Sequence, residues 1–153
     1  MRMSGAPRLP ALDHAGIARL VPHAGSMCLL DCILEGDDER LACRARSHRD
    51  AANPLRNARG LLATAAIEYA AQAMALHGAL VGAAAGAPRD PGFLASARGV
   101  RLHRLRLDDL PGDLRIEVER RAGDARQVLY AFRVAHEGLC VAEGRAAVVL
   151  EAA

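Results

Sequence analysis

GLLATAAIEYAAQAMALHG, residues 60–78, is almost wholly apolar and carries one carboxylate, Glu68, near its middle. Leu, Ala, Met, Gln and Glu are good helix formers, and Gly60 and Gly78 bracket the run, so the stretch predicts a helix between them. Leu61, Leu62, Ala65, Ala66, Tyr69, Ala70, Ala73, Met74 and Leu76 leave hardly any polar face. A helix that is apolar nearly all round is a buried helix. An ionised Glu in such a place is costly unless it is paired or its pKa rises, which makes Glu68 the first candidate for chemistry.

Working outward, the segments on either side change period. Upstream, Leu12–Leu20 predicts a short amphipathic helix with Asp13 as its cap. Met27–Leu34 and Arg40–Ser47 read as two strands around an Glu35–Asp38 turn. In the second, Leu41, Cys43 and Ala45 alternate with Ala42, Arg44 and Arg46. Residues 48–59, HRDAANPLRNAR, form a polar loop broken by Asn53-Pro54. Downstream of a Gly/Ala/Pro linker over 82–92, the segments Phe93–Leu107, Asp113–Arg121, Arg126–His136 and Leu139–Glu151 read as strands. Leu114, Ile116 and Val118 alternate with Arg115, Glu117 and Glu119, as on a half-buried sheet. Hairpin, one buried helix, then four strands is an α+β order, and a curved antiparallel sheet wrapped around one apolar helix is a hotdog fold.

The bulk numbers fit one domain, with residues 1–10 as a flexible arm and 11–153 as the hotdog domain. A net charge of +2 gives no argument for nucleic acid. The absence of Lys excludes a Schiff-base or P-loop lysine. The four cysteines, Cys28, Cys32, Cys43 and Cys140, lack the paired spacing of a zinc site and read as reduced small hydrophobes. Neither a signal-peptide core nor a membrane span is evident, so a cytoplasmic protein is expected, without metal or redox cofactor.

Several stretches resemble the β-hydroxyacyl-[acyl-carrier-protein] dehydratases of fatty acid synthesis. Leu20-Val21-Pro22-His23-Ala24-Gly25-Ser26-Met27-Cys28-Leu29-Leu30-Asp31 resembles that family's opening, and Ile67-Glu68-Tyr69-Ala70-Ala71-Gln72-Ala73 its helical motif. Gly99–Glu119 and the closing EGLCVAEGRAAVVL resemble its later strands. A pattern of SHRDxxNPLR followed by GIEYAAQAMAxHG, matched here except for Ala66 in place of its first Gly, makes the chain resemble the aryl-polyene-type dehydratases more closely still. The fatty acid enzymes' Gly-His-Phe-Pro is absent here; fourteen positions before Glu68 stands Pro54, and the nearest upstream histidine is His48.

The resemblance implies dehydration of a 3-hydroxyacyl thioester on acyl carrier protein to the trans-2-enoyl thioester, by a homodimer or a heterodimer with a paralogous subunit. Such an elimination needs a base, an acid and a donor for the developing enolate. His48 suits the base, or else caps the strand end. Glu68 suits the acid or the holder of a water, or else pairs with an Arg structurally. Gln72, one turn on, is placed to orient Glu68 or to sit at a dimer seam. Backbone N–H groups near Gly60 and the neighbouring Tyr69 complete the substrate-binding candidates, with His23 as a turn residue of the opening motif. Arg98, Arg101, Arg104 and Arg106 form a cluster suited to an acidic carrier protein and its pantetheine phosphate, or form a solvated face. His77 reads as a helix-end cation, and His14, His103 and His136 as surface residues. Two other functions compete: a hotdog thioesterase, with Glu68 activating water, and a catalytically silent subunit completing a paralogue's dimer.

Overall fold

The computed structural model describes residues 8–21, 27–86 and 93–150. A short helix, α1 (His14–Ala18), precedes strands β1 (Cys32–Gly36) and β2 (Arg40–Ala45). The long helix α2 (Ala66–Ala84) follows, and then β3 (Phe93–Leu102), β4 (Leu114–Gly123), β5 (Gln127–His136) and β6 (Leu139–Val149). All pairings are antiparallel in one open sheet of order β1-β2-β4-β5-β6-β3. This is the hotdog architecture, with α2 lying mainly against β4, β2 and β5.

The alternation read in β4 holds: Leu114, Ile116 and Val118 are buried against the helix while their neighbours face outward. Register shifts interrupt most of the strand pairs, among them Arg98/Arg101 in β3 and Val134/Ala135 in β5. Bulges of this kind bend a sheet and increase its twist, which lets it curve around the helix. Asp13 caps α1 as expected, its Oδ1 accepting from Gly16 N–H at 2.9 Å. All four cysteines are free, and burial pushes the Cys43 thiol up to about 12.

The boundaries of the central helix differ from the expectation. Leu61 and Leu62 precede the helix instead of joining it, because Leu61 is fully buried and the segment pairs outward: Leu107 N–H donates to Leu61 O and Ala63 N–H to Leu105 O. A 3-10 turn over Ala63–Ala65 leads into α2. At the other end the helix runs through Gly78 to Ala84, so His77 lies mid-helix and buried rather than at a helix end. The first strand also starts later than the apolar run suggests, at Cys32, while Cys28–Leu30 is buried without being a strand. β3 ends at Leu102, where the chain turns toward the start of α2.

Candidate functional site

α2 begins with Glu68 in its first turn, half-buried and close to the positive end of the helix dipole. The next residue, Tyr69, is fully buried and ties this turn to the rest of the site. Asn53 Nδ2 donates to the Tyr69 hydroxyl at 3.1 Å and to Ser47 O at 2.9 Å. Ser47 Oγ must donate to Leu29 O at 2.8 Å, so the 2.6 Å contact between the two hydroxyls has Tyr69 as donor. Asn53 Oδ1 accepts from Leu55 N–H, which leaves this loop amide fully used. Burial raises the Tyr69 hydroxyl above its ordinary pKa, and the proton stays on it. Tyr69, expected among the substrate contacts, is therefore a support of the helix turn that carries Glu68.

His48 belongs to the 3-10 turn Ser47–Arg49, directly after the serine held by Tyr69. Its ring is fully buried. Nε2 lies 3.0 Å from Leu110 O, a pure acceptor, so Nε2 carries the proton. Nδ1 is buried and has no hydrogen-bond partner. Burial is the main cause that holds the His48 pKa below its ordinary value, keeping the ring neutral. The result is a neutral imidazole held in one tautomer, with no protein hydrogen bond on Nδ1.

Gln72 is nearly fully buried, and its amide clamps the segment before β1: Oε1 accepts from Leu29 N–H at 2.9 Å and Nε2 donates to Met27 O at 2.7 Å. These two bonds replace the strand pairing that the apolar run Cys28–Leu30 otherwise needs. His23 lies outside the described residues.

Gly60 has φ +95°, and a Cβ there would meet the Asp108 carboxylate at 2.5 Å. Its own N–H donates to Asn57 O, Leu61 N–H to Asp108 Oδ1, and Ala65 N–H to Leu62 O. With Ala63 N–H given to Leu105 O, these four amides hold the loop together instead of facing a ligand. Asp108, paired with Arg106 and approached by Arg56 at 3.5 Å, has its carboxyl held well below the usual range, the Arg106 guanidinium first and the Leu61 N–H also contributing. The Asp108 side chain is only 5% exposed. A conformationally special Gly next to a charge pair gives no signal in one sequence.

The Arg cluster divides. Arg104 lies 3.9 Å from Asp109, Arg106 pairs with Asp108, and Arg101 sits across from Glu143. Arg98 faces Arg145 directly across the β3–β6 pair, both exposed. Like charges directly opposite are unfavourable in a sheet. His136, expected at the surface, is buried, its Nε2 accepting from Gly112 N–H at 2.9 Å. His14 and His103 are exposed.

An open antiparallel sheet curved around one long helix is the hotdog fold, shared by dehydratases and thioesterases among the solved structures similar to this chain. The sequence matches the ApeP-like family, described as ApeP dehydratase, over residues 15–152, and the chain belongs to that family. No curated protein matches it significantly in sequence. Among solved structures it is similar to the dehydratase heterocomplex ApeI:P from Xenorhabdus doucetiae, at TM-score 0.79 and 23% identity over 89% of this chain and 91% of that one. Zebrafish thioesterase superfamily member 2 shares the fold at TM-score 0.63 and 11% identity, covering 92% and 99%. A hypothetical thioesterase with coenzyme A from Streptococcus pneumoniae shares it at 0.57 and 15%, covering 78% and 84%.

Proposed function

We propose that this dehydratase-family chain takes part in removing water from a 3-hydroxyacyl thioester carried by acyl carrier protein, giving the trans-2-enoyl thioester, in cytoplasmic fatty acid or aryl-polyene synthesis. The observation that carries the reading is His48: a buried neutral ring whose Nε2–H is fixed on Leu110 O and whose Nδ1 makes no hydrogen bond to the protein. In this reading Nδ1 takes the proton next to the thioester carbonyl. Glu68 gives a proton to the departing hydroxyl, which leaves as water, and the proton on His48 restores Glu68 before the next turnover. The Arg98–Arg145 patch would receive the acidic carrier protein. The ApeI:P neighbour is a heterocomplex, which supports pairing of this chain with a paralogous hotdog subunit.

Complete enclosure of the His48 ring favours a second reading, in which this chain is a silent subunit that completes the partner's site. The test is dehydration of a 3-hydroxyacyl-carrier-protein substrate by the purified protein alone and with the paralogue, beside His48→Gln and Glu68→Gln. Gln at 48 retains a donor for Leu110 O, so folding is checked by thermal melting and activity is read separately. Enoyl product lost in both folded variants establishes the pair. Undiminished product in both, with partner present, assigns the chemistry to the partner. Free acid in place of enoyl product identifies a thioesterase.

A further inference from the structure

At the outer edge of the sheet, away from the His48 turn in sequence, three different metal-ligand types converge. His103 Nε2 lies 2.9 Å from Glu143 Oε2, and Cys140 Sγ lies 3.3 Å from the same oxygen. One ligand atom from each of the three lies within 4.8 Å of the others. Cys140 and Glu143 are three apart on β6, and on a regular strand an odd separation sends side chains to opposite faces. The register shift opposite Val134/Ala135 inserts Val141 as an extra residue, since Val134 pairs with Ala142 and Ala135 with Cys140. Val141 and Ala142 are consecutively buried, and Cys140 is thereby brought to the face of Glu143. On β3, Gly99, with φ +60°, falls in the shift between Arg98 and Arg101, after which Arg101 sits opposite Glu143 and His103 N–H donates to Val141 O. Two bulges thus assemble the trio.

We propose that His103, Cys140 and Glu143 form a divalent transition-metal site of the zinc type, with three protein ligands and an open fourth position. Imidazole, thiolate and carboxylate are the ligands zinc takes. Bond lengths of about 2.0–2.3 Å give tetrahedral ligand separations of about 3.3–3.8 Å. Two of the three separations are at or a few tenths of an ångström below that range and all three lie within 4.8 Å, so an ion would enter with side-chain rotations. On binding, the Cys140 thiol proton passes to solvent, His103 presents its Nε2 lone pair with the proton on Nδ1, and water fills the fourth position. No oxidation state changes. Thiolate and carboxylate balance the ion's two charges, and the flanking Arg101 and Arg133, on the strands either side of Glu143, then face a neutral cluster. The ion would pin the edge strand β3 to β6.

Titration with cobalt(II), followed by absorption, tests this on the full chain. The expected result is one ion per chain, the d–d bands of a tetrahedral centre and a thiolate-to-cobalt charge-transfer band. Cys140→Ser removes that band, and His103→Ala or Glu143→Gln each weakens zinc in chelator competition by about tenfold or more. A charge-transfer band that survives in Cys140→Ser, or zinc affinity unchanged by His103→Ala and Glu143→Gln, overturns the assignment. All three positions are on the surface side of the sheet, and melting curves of the metal-free variants confirm that they are folded.

Discussion

Tyr69, Ser47 and Asn53 resolve one another's hydrogens, and the chain of donation ends on Leu29 O. Removing the one hydroxyl in Tyr69→Phe leaves Asn53 with one acceptor fewer and Ser47 Oγ without its donor, all in a buried place. A loss of about 1–2 kcal/mol in urea unfolding is expected, and an unchanged midpoint would show that the network contributes nothing. Gly60→Ala meets two obstacles together: a backbone at φ +95° and the Asp108 carboxylate at 2.5 Å from the new Cβ. A destabilisation of about 1–3 kcal/mol follows, with lower melting temperature as its readout. Glu68 and His48 stand out in the sequence as candidates because their chemistry is in their type. The work of Tyr69 and Asp108 does not, since a phenol and a carboxylate look the same in sequence whether they face a ligand or lock a loop.

At the scale of elements, the helix was legible as a buried apolar segment but its ends were not. Gly78 is a poor stop signal because glycine inside a helix costs only about 0.5–1 kcal/mol, less than the burial of Ala79 and Leu80 beyond it contributes. A Cβ at Gly78 meets nothing within 4 Å. Gly78→Ala is therefore expected to stabilise the chain by about 0.5–1 kcal/mol in denaturant unfolding, and a destabilisation would place another surface against that position. The start of α2 moved for the opposite reason: pairing of Leu61 and Ala63 with the 105–107 segment outweighs helix propensity. The late start of β1 follows from Gln72, which satisfies Met27 and Leu29 from a distant part of the sequence. Gln72→Leu leaves the buried Leu29 N–H and the part-buried Met27 C=O without their partner and should cost about 1–3 kcal/mol, read by the same unfolding experiment.

For the whole molecule, two buried neutral histidines join parts that are remote in sequence. His48 fixes its 3-10 turn to Leu110, before β4. His77 joins α2 to the β1–β2 turn by donating from Nε2 to Asp37 O, and to β5 by accepting the Tyr130 hydroxyl on Nδ1. Burial is the largest cause that lowers both pKa values below the ordinary histidine value. Between the lowered folded value and the unfolded value of about 6.5, the unfolded chain binds more protons, so stability rises with pH across that window. The contribution is complete above about pH 6.5 and is lost as pH falls through the window toward the folded values. Each histidine adds a slope of up to about 1.4 kcal/mol per pH unit. Urea unfolding at about pH 7.5 and about pH 5.5 should show the chain weakening on acidification. His77→Gln, which keeps a donor for Asp37 O, removes one of the two titrating groups and should flatten that dependence. Equal slopes in the two proteins would mean that His77 takes up its proton in the folded state as readily as in the unfolded one, and that burial of its ring does not set the pH dependence.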